Sequence, residues 1–443
     1  MSRRNFILLI IILVLIIGVA LSLWLMRQEP TTPGEDTGST NFISQFNPFG
    51  NSTPNKPPTD TPPVDISGYI PPEQSTAKLK KISTMPVAGF TVYQKERLKE
   101  VPLPDPSATP PPTETPSPSK APAKPTPPPT EFVPALRYVA RATGNVYQTF
   151  ADKIEERKFS TTVIPKIEEA FLGNNGESVV LRYLDKDEYT IQTFAGSLPK
   201  EILGGDTTEN NELVGSFLPE GIQNISLLGD KTSIFYLFKS GSGIIGTTFN
   251  LFTNKKVQIF DSSFTEWLSS WPNSKLVTLT TKAASGYAGY MYVLDVGTKN
   301  LNNVLGPING LTTLPSPGGK LVLYGDDNLS LGIYDLDTKT SSAIGLRTLP
   351  EKCVWGKLSD ALYCAVPKLV SGTLPDSWYQ GEISFADQVW KIDTATGNTT
   401  LLLDPVNTSG EEVDGIKLAL DEGENYLFFV NKKDSYLWEF SLK

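Results

Sequence analysis

Two hydrophobic patterns divide the 443-residue chain. The first is one unbroken run, FILLIIILVLIIGVALSLWLM at 6–26, in which only Gly18 and Ser22 are not strongly apolar. The second begins near residue 131. It consists of apolar runs of five to eight residues separated by turns of Gly, Asn, Asp and Ser. No part of it keeps a helical period; PKIEEAFL at 165–172 comes nearest and reads as strand. Short strands at regular spacing predict an all-β sandwich, barrel or propeller.

Self-comparison separates these alternatives. WPNSKLVTL at 271–279 matches SPGGKLVLY at 316–324, which places Lys275 and Lys320 45 residues apart. LGDKTSIFYLF (228–238), LGNNGESVVLRY (172–183), WGKLSDALYCA (355–365) and LDEGENYLFFV (420–430) continue the series. A second unit, a strand ending in Asp before a Thr/Gly turn, recurs as MYVLDVGTKN (291–300), GIYDLDTKT (332–340) and VWKIDTATGN (389–398). A period near 45 residues with four strands per unit is a propeller blade.

The turn S-P-G-G-K, with W-P-N-S-K as its cousin, resembles the S-P-D-G-K turn of WD-repeat-like propellers of the TolB type. The x-Y-D-L-D-T-K-T hairpin is similar to the strand that follows in that family. The likeness runs over roughly 170–443 and implies a fold, not an activity. The G-H…W-D pairs of true WD repeats and the S-x-D-x-G-x-T-W boxes of sialidases are absent. The layout, including L-P-D-S-W-Y-Q-G, also resembles membrane-anchored propeller proteins of candidate-phyla bacteria.

Counting blades predicts seven, with six or eight as alternatives: 87–164, 165–219, 220–263, 264–308, 309–349, 350–406 and 411–443. The last has room for three strands, and AKLKKIST at 77–84 is expected to supply its outer one, so that both ends of the domain share a sheet. The fold class is therefore all-β: a seven-bladed propeller over 77–443 behind a transmembrane helix and a Pro-rich stalk.

The apolar run at 6–26 spans about 30 Å as a helix, the thickness of a hydrocarbon core. Arg3 and Arg4 precede it, so residues 1–5 are expected in the cytoplasm and the rest outside, with the lipid bilayer as a partner. A cleaved signal peptide ending near Ala20-Leu21-Ser22 is the rival, but the run extends to Met26. Of the 36 prolines, 24 lie between residues 30 and 130. Proline with small polar residues cannot bury a core, so 27–76 reads as an extended stalk and about 98–133 as an insertion within blade one. The stretch NFISQFNPFGN at 41–51 is rich in Phe for a linker, and its role stays open.

Composition removes several functions. Net charge is −9, which leaves no basic footprint for nucleic acid. Histidine is absent, and with it the usual general base and the commonest zinc ligand; no cofactor or metal site is expected. Turns such as GDDN (325–328) and LDEGEN (420–425) match no calcium loop and need no metal. The two cysteines, Cys353 and Cys364, flank a turn in KCVWGKLSDALYC; a hairpin there sets them opposite each other, and an oxidising compartment predicts a disulfide rather than two buried thiols.

The longest loop with ordered character, PKLVSGTLPDSWYQGEISF (367–385), is expected on the top face, where inner strands begin, with AASGYAGY (283–290) beside it. It gathers Trp378, Tyr379, Asp376, Glu382 and Asp387 as candidate binding residues, for stacking and hydrogen bonding to a glycan or a protein. The alternative is that Trp378 and Tyr379 plug the loop onto the rim. No residue is assigned a catalytic role. The function predicted is a binding module for a protein partner or cell-envelope glycan; a carboxylate-based carbohydrate-active enzyme is the rival, since glycoside cleavage needs no histidine.

Overall fold

The computed structural model describes residues 78–99, 128–201, 203 and 211–443. The apolar run 6–26, the stalk 27–76 and the Phe-rich stretch 41–51 lie outside them. Among the described residues no helix is long and apolar enough to cross a membrane.

The described residues form seven four-stranded antiparallel sheets. Blade one holds Val87–Leu98, Thr130–Ala140, Val146–Phe150 and Arg157–Lys158; blade two holds Ile167–Gly173, Ser178–Leu184, Ile191–Ser197 and Val214–Phe217. Blades three to six follow the same pattern and start at Ile222, Trp267, Thr312 and Cys353. Blade seven is Gly415–Leu420, Tyr426–Asn431 and Leu437–Ser441, completed by Leu79–Lys81 from the other end of the domain. Leu79 pairs with Phe440 and Lys81 with Trp438, so residue 78 enters at the bottom of the ring.

The central part of each blade's second strand is largely apolar because both its faces are covered by neighbouring blades. Val179, Val180 and Leu181 have no exposure, nor do Ile234, Phe235 and Leu237. Between every adjacent pair of blades lies one apolar cluster, such as Phe235 and Leu237 against Trp267 and Trp271 between blades three and four. Inner strands crowd at the axis. A Cβ at Gly89 of blade one would stand 1.9 Å from the Ala170 carbonyl oxygen of blade two, so only glycine fits.

The repeated sequence units fall where the register requires. SPGGK and WPNSK turn between first and second strands. Asp295, Asp335 and Asp393 turn between third and fourth, each accepting the backbone amide of the Thr three residues on. Asn250 forms a further copy of this turn, accepting from the amide and hydroxyl of Thr253 in the same way.

Strand pairing in blade one continues to Leu98 opposite Thr130, at the edges of the range 98–133 expected for the insertion, and residues 100–127 lie outside the described residues. The third strand of that blade stops at Phe150, opposite Ala135, which leaves residues 94–98 and 130–134 as a two-stranded ribbon below the ring.

Candidate functional site

Cys353 and Cys364 are directly paired across the first two strands of blade six and joined in a disulfide. The loop that follows, between strands Ala361–Pro367 and Asp387–Asp393, lies on top as expected and carries one short helical turn, Asp376–Tyr379. What the loop does there differs from a ligand platform. Trp378 is 4% exposed and sits with Leu329, Leu349, Leu374 and Phe385 in a cluster beneath the loop, stacked on Phe385 at 6.1 Å. Its indole Nε1 donates to Asp414 Oδ2 at 3.0 Å.

Asp387 is also interior. Its Oδ2 lies 2.8 Å from Lys352 Nζ and accepts the Gly415 amide at 2.7 Å, while Oδ1 has no partner. Lys352, with no exposure, also pairs with Asp414 and donates to the Gly415 carbonyl at 3.0 Å. Burial pushes the Asp387 carboxyl up to about 6, against the pull of Lys352. Asp414 stays below the usual carboxylate range: burial raises it, but Lys352 and the bonds from Phe385 and Trp378 outweigh that. Lys352 and Asp414 carried no signal in the sequence. A lone lysine before a cysteine and an aspartate after a valine look like any surface pair.

Asp376 ties the loop to a neighbour rather than to solvent: its Oδ2 accepts the Ser285 amide of blade four at 2.9 Å. Asp327 of blade five accepts the next amide, Gly286, at 3.1 Å. Lys432 of blade seven donates to the Trp378 carbonyl and stands 3.7 Å from its ring. Glu382 is exposed. Tyr379 leans toward the axis, where its hydroxyl donates to Glu351 Oε2 at 3.0 Å. Glu351 is exposed at the mouth, yet desolvation by the surrounding wall pushes its carboxyl up to about 7, against Tyr379, Lys352 and Lys432. The top loops of blades four, five and six thus form a bonded roof over one half of the mouth. Of the five residues singled out, Asp376, Trp378 and Asp387 build it.

The other half is open. On the side of blades seven, one and two a cavity of about 480 Å³ is lined by Arg141, Glu168, Glu169, Arg182 and Lys417 over a floor of Val87, Ala88, Ile191, Ile416 and Val430. Arg182 Nη1 bonds Glu169 Oε2 at 2.9 Å, and Arg141 Nη2 bonds Glu168 Oε2 at 3.2 Å. Lys417 Nζ donates to the Ala88 carbonyl at 2.8 Å and lies 4.0 Å from Glu169. Its pKa is lowered by enclosure and by Arg141 and Arg182, with Glu169 opposing. Sequence reading missed these residues because they come from three blades and share no motif. A larger hollow of about 580 Å³ lies at the bottom of blades two and three, but its wall ends on either side of 204–210, outside the described residues.

The class this defines is a closed seven-bladed β-propeller, with one half of its top mouth roofed and the other open and charged. No protein-family model and no curated protein matches the chain. Among solved structures it is similar to an oligogalacturonate lyase in complex with manganese, at 10% identity and a TM-score of 0.47, over 70% of this chain and 85% of that one. It is also similar to TolB from Acinetobacter baumannii, at 9% identity and a TM-score of 0.37, over 68% of this chain and 61% of that one. Neither protein's activity is carried across by likeness at this level.

Proposed function

We propose that this protein is a membrane-tethered, extracytoplasmic binding module that receives part of a partner protein at the open half of its top mouth. The apolar run 6–26 with Arg3 and Arg4 before it supports the tether, and the Pro-rich stretch supports a stalk. The observation that carries the reading is the convergence of Arg141, Arg182 and Lys417, from three blades, on one cavity with an aliphatic floor. Sugar sites stack rings on aromatic side chains, and this lining holds none.

The enzyme reading draws on Glu351, the carboxyl near the axis that titrates around neutrality. The space beside it is about 50 Å³, lined by hydroxyls of blades four and five with Glu351 and Tyr379. That admits about one or two waters and no sugar ring. Glu351 is the lone carboxylate in its lining, whereas hydrolysis needs a pair flanking the bond.

A photo-crosslinking side chain placed at Ile191 of the full-length protein in its native membrane tests the reading. Discrete protein adducts at Ile191, and none from the same group at Glu155 in the outer part of blade one, are expected. Absence of protein adducts at Ile191 overturns it.

A further inference from the structure

We infer that the open mouth is a carboxylate-recognition site, built to take an acidic side chain or chain terminus from a partner protein. The inference rests on the reading of this mouth as a protein-binding face and adds the chemistry of what enters it.

Lys417 carries the argument. It lies in the inner strand of blade seven, where the pairing slips between Ile416 and Ala419, and its φ of 53° is left-handed. A non-glycine residue in that region is strained, and the surrounding strand holds it there. The slip sets the lysine among the cavity's lining residues instead of in the strand's regular alternation.

Charge follows the same direction. The lining holds three cations and two anions. Glu168 is engaged by Arg141 and Glu169 by Arg182, so Lys417 is the charge left over: its bond goes to a neutral carbonyl, and Glu169 stands at 4.0 Å. The site is locally positive in a chain whose net charge is −9. Three like charges share the mouth, and an entering carboxylate offsets the excess of positive charge. The aliphatic floor suits the methylenes of a glutamate or a terminal residue, and the Arg forks suit a planar carboxylate.

The experiment is calorimetric titration of the full-length protein in detergent with three probes: capped hexaglutamate, capped hexaglutamine and trigalacturonate. Hexaglutamate is expected to bind about tenfold tighter than hexaglutamine at low salt, the worth of one charge-assisted contact, and to weaken as salt rises. Lys417→Met and Arg141→Gln should each remove most of that preference. The Arg141 side chain is 42% exposed, so its loss does not endanger the fold. Equal binding of the two peptides, or a preference that survives both substitutions, overturns the inference. Trigalacturonate binding more tightly than hexaglutamate through the same residues overturns the acidic-protein assignment in favour of an acidic glycan. If Ile191 still crosslinks to protein while hexaglutamate fails, the binding face stands and only its carboxylate chemistry falls.

Discussion

Lys352 enters blade six with its ammonium fully enclosed, held between Asp387 of the same blade and Asp414 at the start of the next. Such a cluster adds little net stability over an apolar substitute, but breaking it leaves charge stranded in the interior. Lys352→Met is therefore expected to cost about 3–5 kcal/mol, read as a lower urea midpoint, and K352M/D387N/D414N should recover much of that loss. An unchanged midpoint for K352M contradicts the buried cluster. Asp387 adds a pH signature. Its folded carboxyl titrates near 6, above the value of about 3.9 in an unfolded chain, so the folded state binds the extra proton between those values. Its contribution to stability accordingly grows as pH falls from about 6 toward 4 and is smallest above 6. Urea midpoints across that window should rise on acidification by more in the wild type than in D387N; parallel curves refute the assignment. The sequence offered Asp387 as a ligand contact. The chain could not show that Lys352, 35 positions earlier, turns inward to meet it.

At the scale of the element, what was legible is what repeats locally. A turn of the form Asp-x-x-Thr closes through the aspartate's own carboxylate, so MYVLDVGTKN and VWKIDTATGN announce hairpins without help from distant residues. Asn250 makes the same turn, but NLFT hides it, since amide and carboxylate differ in letter and not in geometry. The 45-residue period that marks the blades could not reveal the roof, because Asp376 meets Ser285 across two blades. The disulfide lies between these extremes: two cysteines around one turn pair by hairpin register alone. It closes a short loop, and with both sulfurs buried its reduction should cost about 2–3 kcal/mol without unfolding the ring. Denaturant titrations with and without reductant check this, and the same loss is expected for C353A/C364A. A reduced protein that no longer gives a cooperative transition would show the staple to be essential to blade six.

At the scale of the molecule, the ring is closed by three residues from the far end of the domain. Leu79–Lys81 complete the sheet of blade seven, and Leu79 and Ile82, at 5% and 2% exposure, fill the two clusters on either side of it. That seam could be anticipated because a three-stranded last blade leaves an unpaired edge, and the upstream strand is what remains to cover it. Because the chain continues from this strand toward residue 77, whatever lies upstream is joined to the ring at its closing seam. A chain beginning at Ser83 loses both apolar side chains, worth about 3–6 kcal/mol together, and exposes Leu437–Ser441 as an open edge. It is expected to unfold at lower denaturant and to associate as its concentration rises in gel filtration. A chain beginning at Glu73 keeps the strand and should show neither change. If the Ser83 variant is monomeric and equally stable, the six complete blades hold the circle unaided, and the pairing of Leu79 with Phe440 is a covering rather than a closure.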